Sequence, residues 1–197
     1  MVLSCHNLSK SFLGEPLFSG GTFRIEDKEK AAIVGINGAG KSTLLKIIVG
    51  EMAPDTGEVV LAKGKTLGYL AQHQDLSAHR TIYEEVLTAK QDVLDLEQQI
   101  RRLEQQMKDS QGEELASMME AYSRLNHEFE QKDGYACQSE VTAVLKGLGF
   151  EEEQFEKPIS TLSGGQKTRV FLGKLLLAKP DVIMLDEPTN HLDMESI

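Results

Sequence analysis

The sequence predicts an α/β fold in which an antiparallel β part and a mixed or parallel core sheet carry an inserted helical hairpin. Three observations predict it. A short apolar run, Lys30 to Val34, leads through a glycine-rich loop into the apolar stretch Leu44 to Val49, which is the strand, loop, helix order of an α/β unit. From Val86 to Phe129, small and apolar residues recur at steps of three and four, the seam of two paired helices. A second apolar run, Asp181 to Leu185, ends in two carboxylates, Asp186 and Glu187.

Each element follows in order. Val2 to Phe12 and Gly20 to Ile25 read as strands on either side of a Gly14-Glu15-Pro16 turn, and both suit an antiparallel sheet. Lys30 to Val34 suits a buried strand. Pro54-Asp55-Thr56-Gly57 marks a turn, and Glu58 to Leu61 and Thr66 to Leu70 read as strands around Lys63-Gly64-Lys65. Val86, Ala89, Val93, Leu96, Ile100, Leu103 and Met107 form one heptad seam, and Leu115, Met118, Tyr122, Leu125 and Phe129 form the second. A break at 109–112 lets the two fold back as an antiparallel pair. The first helix, read as continuous from Val86 to Met107, would be about 33 Å long at ~1.5 Å per residue. A further helix is expected from Tyr135 to Leu148, closed by Gly149. Beyond Pro158, Leu162-Ser163-Gly164-Gly165-Gln166 should lead into a long helix to about Ala178. The expected division is 1–80 and 150–197 as core, with 81–149 as a helical subdomain.

Length and composition narrow the classes. With 197 residues, 40% of them hydrophobic, the chain is long enough for one core with an insertion. It has no apolar window near the ~18 residues a membrane span requires, and its N-terminus lacks the basic and apolar regions of a secretory signal. No membrane insertion and a cytoplasmic home are therefore expected. Cys5 and Cys137 match no metal-ligand spacing and read as reduced thiols. The net charge of −10 argues against electrostatic nucleic-acid binding by the chain as a whole. Residues 84–133 hold 13 acidic and six basic side chains, net −7, so a basic protein surface suits the hairpin better than naked RNA. A solvated charged face is the alternative.

The chemistry lies in three motifs. Gly35-Ile36-Asn37-Gly38-Ala39-Gly40-Lys41-Ser42 fits the pattern GxxxxGK[ST]. Its glycines let backbone N–H groups curl around phosphate oxygens at a helix start. Lys41 can then reach β- and γ-phosphates and the Ser42 hydroxyl can ligate Mg²⁺, with Thr43 beside them at the nucleotide. Val182-Ile183-Met184-Leu185-Asp186-Glu187 has the form of a Walker B strand, with Asp186 for the metal and Glu187 as general base toward water. Leu162-Ser163-Gly164-Gly165-Gln166 places two glycines and a serine at a helix start, 20 residues or so before Asp186.

These motifs together resemble the ATP-binding cassette ATPases. The octapeptide Asp186-Glu187-Pro188-Thr189-Asn190-His191-Leu192-Asp193, with the hairpin between Gln72 and Leu162, resembles the translation-associated ABC-F branch, in particular its first cassette. The resemblance implies ATP and Mg²⁺ as ligands and a second cassette as partner, whose bound nucleotide Ser163, Gly164, Gly165 and Gln166 would cap. It implies that Gln72 is the Q-loop glutamine near Mg²⁺ and the attacking water, with Gln74 as the competing choice. Phe12 would stack on adenine, although a strand-end phenylalanine also suits a core, and Asp193 would serve the D-loop. It further implies the ribosome as a partner, with a transporter permease as the alternative. A non-hydrolysing nucleotide-binding module is a third reading, opposed by intact Lys41, Asp186 and Glu187. The family's switch histidine, distinct from His191, lies beyond the D-loop, and the chain ends at Ile197 before reaching one. A truncated cassette, binding ATP but weak or inactive in hydrolysis, is the expectation.

Overall fold

The computed structural model describes residues 1–70 and 76–187. The chain divides into two compact units, Met1–Gln74 with Lys179–Ile197, and Asp75–Ala178.

In the first unit, β1 (Leu3–Phe12) lies between β2 (Glu15–Ile25) and β3 (Thr56–Leu61), antiparallel to both. β4 (Leu67–Leu70) and β5 (Val182–Leu185) form a parallel pair, Leu67 opposite Val182 and Leu70 opposite Leu185. Leu3, Cys5 and Leu8 of β1 are buried against Ile47 and Ile48 of α1 (Lys41–Ile48), with Phe18, Phe23, Val59, Leu67 and Met184 around them. Both cysteines are free and buried, and burial raises the Cys5 thiol to about 11, which keeps it protonated and unreactive.

Three register shifts bend β1, and its last residues are braced from outside the sheet. Asp55 Oδ2 accepts from the Ser11 N–H at 2.7 Å and the Ser11 hydroxyl at 2.6 Å, while Oδ1 accepts from Lys10 at 2.9 Å. These donors, the Ser11 hydroxyl first, hold the carboxyl at a pKa of about 2. The Lys10 ammonium in turn lies 5.8 Å from the centre of the Phe12 ring.

Residues 30–34 depart from expectation. They form no strand, and Val34 and Ile36 are 91% and 83% exposed. A strand exists through its ladder partners, and no described strand pairs with this segment.

In the second unit, α2 (Ile82–Leu87), α3 (Gln91–Met107), α4 (Gly112–Gln131), α5 (Cys137–Gly147) and α6 (Gly164–Ala178) follow one another. The helix expected to be continuous from Val86 is broken by a 3₁₀ turn at Thr88–Lys90. There the Thr88 hydroxyl donates to the Glu85 carbonyl at 2.6 Å, a local bond that competes with regular helix. The 17 residues of α3 therefore span about 26 Å rather than 33 Å. α3 and α4 pair as expected: Val93, Leu96 and Ile100 pack with Phe129 and Cys137, flanked by Tyr122 and Leu125. Lys132 pairs with Asp92 at 2.8 Å across the base, and the Tyr122 hydroxyl donates to Glu104 at 3.0 Å farther out. Gly134 sits so close to the Phe129 ring that a Cβ there would lie 2.4 Å from it.

A second core joins Ile82 and Val86 of α2, Val141 and Leu145 of α5 and Val170 and Leu177 of α6. Within it Glu85 is only 1% exposed. Its carboxylate meets Lys174 of α6 at 2.5 Å and Arg80 at 3.4 Å, so the buried charge is paired.

Candidate nucleotide site

The first unit gathers the glycine-rich loop, the end of β1 and the end of β5 around one pocket. Gly40, with φ 90°, caps α1; a Cβ at this position would come within 2.7 Å of Leu17, so the loop turns into the helix only with glycine there. The Ala39 N–H donates to the Ile36 carbonyl at 3.2 Å. Lys41 folds back across the loop and donates to the carbonyls of Gly35 at 2.9 Å and Ile36 at 3.1 Å. Phe12, Leu17, Asn37, Gly38, Gly40, Lys41, Ser42, Thr43 and Glu187 line a pocket of about 290 Å³. Phe12 and Leu17 make one apolar side; the loop and Lys41 make the polar one. No motif in the sequence marks Leu17; the approach of β2 to the loop gives it its place there.

Asp186 follows β5 and is 5% exposed. Its N–H donates to the Leu70 carbonyl at 3.1 Å, continuing the parallel ladder. Its Oδ1 accepts from the Ser42 hydroxyl at 3.0 Å, and its Oδ2 from the Tyr69 hydroxyl at 3.3 Å. Burial first, then the Asp186 charge, raise the Tyr69 phenol to about 12, so it stays a donor. Among the described residues Asp186 has no Lys or Arg ion pair. A carboxylate this buried, supported among the described residues by neutral hydroxyls, is the environment a bound cation balances. The oxygen-only set Ser42 and Asp186 fits a hard ion such as Mg²⁺. The next residue, Glu187, has a φ of 47°, outside the usual range for a side chain of this kind, and reaches the pocket lining.

Ser163, Gly164, Gly165 and Gln166 belong to the second unit, at the start of α6. Gln166 N–H donates to the Ser163 hydroxyl at 3.2 Å, while the Ser163 N–H donates to the Gln166 side chain at 3.0 Å. This reciprocal capping box defines the helix start. Arg169 steadies the same helix, donating to the Leu148 carbonyl at 3.2 Å and lying 5.1 Å from the Phe150 ring centre. Gln72, the competing Gln74 and Asp193 lie outside the described residues.

A glycine loop capping a helix, facing two carboxylates at the end of a parallel strand, defines the class of P-loop nucleotide-binding domains. The ABC transporter family profile matches residues 18–190, and the chain belongs to that family as an ATP-binding domain. It is 51% identical over its whole length to the ATP-binding protein YdiF of Bacillus subtilis, covering 31% of that protein. It is 37% identical, over 99% of its length, to the tylosin resistance ATP-binding protein TlrC of Streptomyces fradiae, covering 36% of it. To the energy-dependent translational throttle protein EttA of Mycobacterium tuberculosis it is 36% identical over 85% of its length, covering 29% of that protein. The chain thus spans about a third of these relatives. The fold matches that of a dimeric ATP-binding cassette solved in a post-hydrolysis state with ADP and Pi, at 22% identity and a TM-score of 0.66, covering 98% of this chain and 77% of the other. Among the described residues no helix is long and apolar enough to cross a membrane.

Proposed function

We propose that this chain is a cassette of an ABC-F-type ATPase, which binds ATP with Mg²⁺ and, paired with a second cassette, hydrolyses it in a cycle on the ribosome. The observation that carries the reading is the match of essentially the whole chain, acidic hairpin included, to a tylosin resistance protein and of most of it to a translational throttle. The octapeptide 186–193 and the net −7 of residues 84–133 support it, since an acidic arm suits basic protein surfaces.

In this reading Phe12 and Leu17 receive the adenine side, and the amides of 35–40 with Lys41 receive the phosphates. Ser42 and Asp186 would hold Mg²⁺, which supplies charge neutralisation at the phosphates. Glu187, on the pocket wall, polarises the attacking water. Gln72 would sense the metal and water, and Asp193 would communicate with the partner cassette. The exposed Ser163 hydroxyl and Gly164 amide, with the Gly165 amide, are the donors at a helix start for a phosphate held by that cassette. The 197-residue chain by itself binds nucleotide and turns it over slowly or not at all, because each complete site takes groups from two cassettes.

The test is ribosome co-sedimentation of the full-length protein bearing Glu187→Gln, with ATP. Retention on ribosomes that is lost with Lys41→Ala is the expected result. Recovery with a membrane permease and no ribosome association would replace this reading by that of a transporter subunit.

A further inference from the structure

We propose that Tyr69 is a positioning and specificity-determining residue for the metal, holding Asp186 as a one-oxygen ligand. The inference rests on the reading of Ser42 and Asp186 as the Mg²⁺ site. In the parallel register Tyr69 lies opposite Met184. Asp186, two residues further along the chain, therefore shares the face of Tyr69 as its diagonal neighbour. β4 thus grips Asp186 twice, through the Leu70 carbonyl on its backbone and through the Tyr69 hydroxyl on Oδ2. The other oxygen, Oδ1, is the one directed at Ser42.

This division of labour has a chemical consequence. The Tyr69 hydroxyl takes one lone pair of Oδ2 and holds the carboxylate plane, so a cation that chelates both oxygens must share Oδ2 with that donor, whereas a cation that takes one oxygen meets Oδ1 beside Ser42. Small Mg²⁺ takes ligands singly in a strict octahedron, whereas the larger Ca²⁺ accepts two oxygens of one carboxylate at little cost. Tyr69 therefore favours Mg²⁺ in two ways: it fixes the direction of Oδ1, and it makes the second oxygen a poorer ligand for Ca²⁺. Tyr69 is absent from the pocket lining, so nucleotide affinity without metal does not depend on it.

The experiment compares the 197-residue chain with its Tyr69→Phe, Ser42→Ala and Asp186→Asn variants. Binding of ATP is measured in EDTA, and Mn²⁺ (by its electron paramagnetic resonance signal), Mg²⁺ and Ca²⁺ are titrated into the ATP complex. Tyr69→Phe is expected to weaken Mn²⁺ and Mg²⁺ roughly tenfold, as loss of a supporting partner of a metal ligand does. Ca²⁺ should weaken less, so discrimination narrows, while ATP affinity in EDTA and the melting temperature stay at wild-type values. A Tyr69→Phe chain with wild-type metal affinities, alongside Ser42→Ala and Asp186→Asn chains that have lost theirs, overturns the role of Tyr69 and leaves the metal site standing. Unchanged affinities in all three variants overturn the metal site, and the role of Tyr69 with it.

Discussion

The Ser42 hydroxyl donates to Asp186 Oδ1 at 3.0 Å across 144 positions of sequence. One contact thus joins the start of α1 to the end of β5. Ser42→Thr keeps the hydroxyl and should retain Mg²⁺-dependent nucleotide binding within about threefold, whereas Ser42→Ala should lose it by tenfold or more. Fluorescent-nucleotide titration with and without Mg²⁺ separates the two.

Glu187 lines the pocket but is not part of the loop that would receive the phosphates. Glu187→Gln in the full-length protein should leave ATP affinity near wild type and cut steady-state hydrolysis by 10²-fold or more, the usual scale for losing a general base. A coupled phosphate-release assay reads the rate. Turnover at the wild-type rate would remove Glu187 from the chemistry.

Much of this site was legible in the sequence, because its loop, its helix start and its strand-end carboxylates are contiguous motifs. The turn at Gly40 and the helix from Lys41 need only local backbone geometry. Most of what the sequence concealed depends on partners far along the chain. Leu17 faces the glycine loop because a hairpin carries it there, and Tyr69 meets Asp186 because two strands share a register. The run 30–34 has the composition of a buried strand and yet lies exposed, since composition does not supply a ladder partner. The heptad seam placed α3 against α4 correctly but did not reveal the 3₁₀ turn at Thr88–Lys90, where a single hydroxyl competes with the helix.

Gly134 and Gly147 should respond oppositely to alanine. At Gly134 a Cβ would meet the buried Phe129 ring at 2.4 Å, while at Gly147, near the end of α5, nothing lies within 4 Å. Gly134→Ala should cost about 1–3 kcal/mol through overpacking, and Gly147→Ala should be neutral or stabilising by about 0.5 kcal/mol. Urea unfolding of the two variants is the measurement.

Glu85→Ala would leave the α6 lysine without its buried counter-charge and is expected to destabilise by about 3 kcal/mol. The double variant Glu85→Leu with Lys174→Met should recover most of the loss, because the desolvation cost disappears along with the pair. Thermal melts of the single and double variants decide it. A double variant no more stable than Glu85→Ala would mean that the ion pair itself carries the packing of α2 on α6.

Asp181 accepts from Lys65 at 2.7 Å and from the Thr66 N–H and hydroxyl at 2.9 and 3.0 Å, and these donors, Lys65 first, hold its pKa at about 2. The folded value lies below the roughly 3.9 of an unfolded aspartate. Its stabilisation is therefore complete above about pH 4 and is lost as pH falls toward 2. Asp181→Asn should be less stable than wild type at pH 7, and the gap should close as pH falls through that window. Unfolding midpoints measured from pH 7 to pH 2 would show a constant gap if the carboxylate were not the cause.

The fold of Lys41 back onto the Gly35 and Ile36 carbonyls makes ligand capture an exchange rather than an addition. An incoming anion must outbid two carbonyl oxygens for one ammonium, so what is felt as affinity is only the difference between the two bonding states. A nucleotide with a short phosphate tail has little with which to draw the lysine away. Discrimination by tail length can therefore arise from an internal rival already seated in the loop.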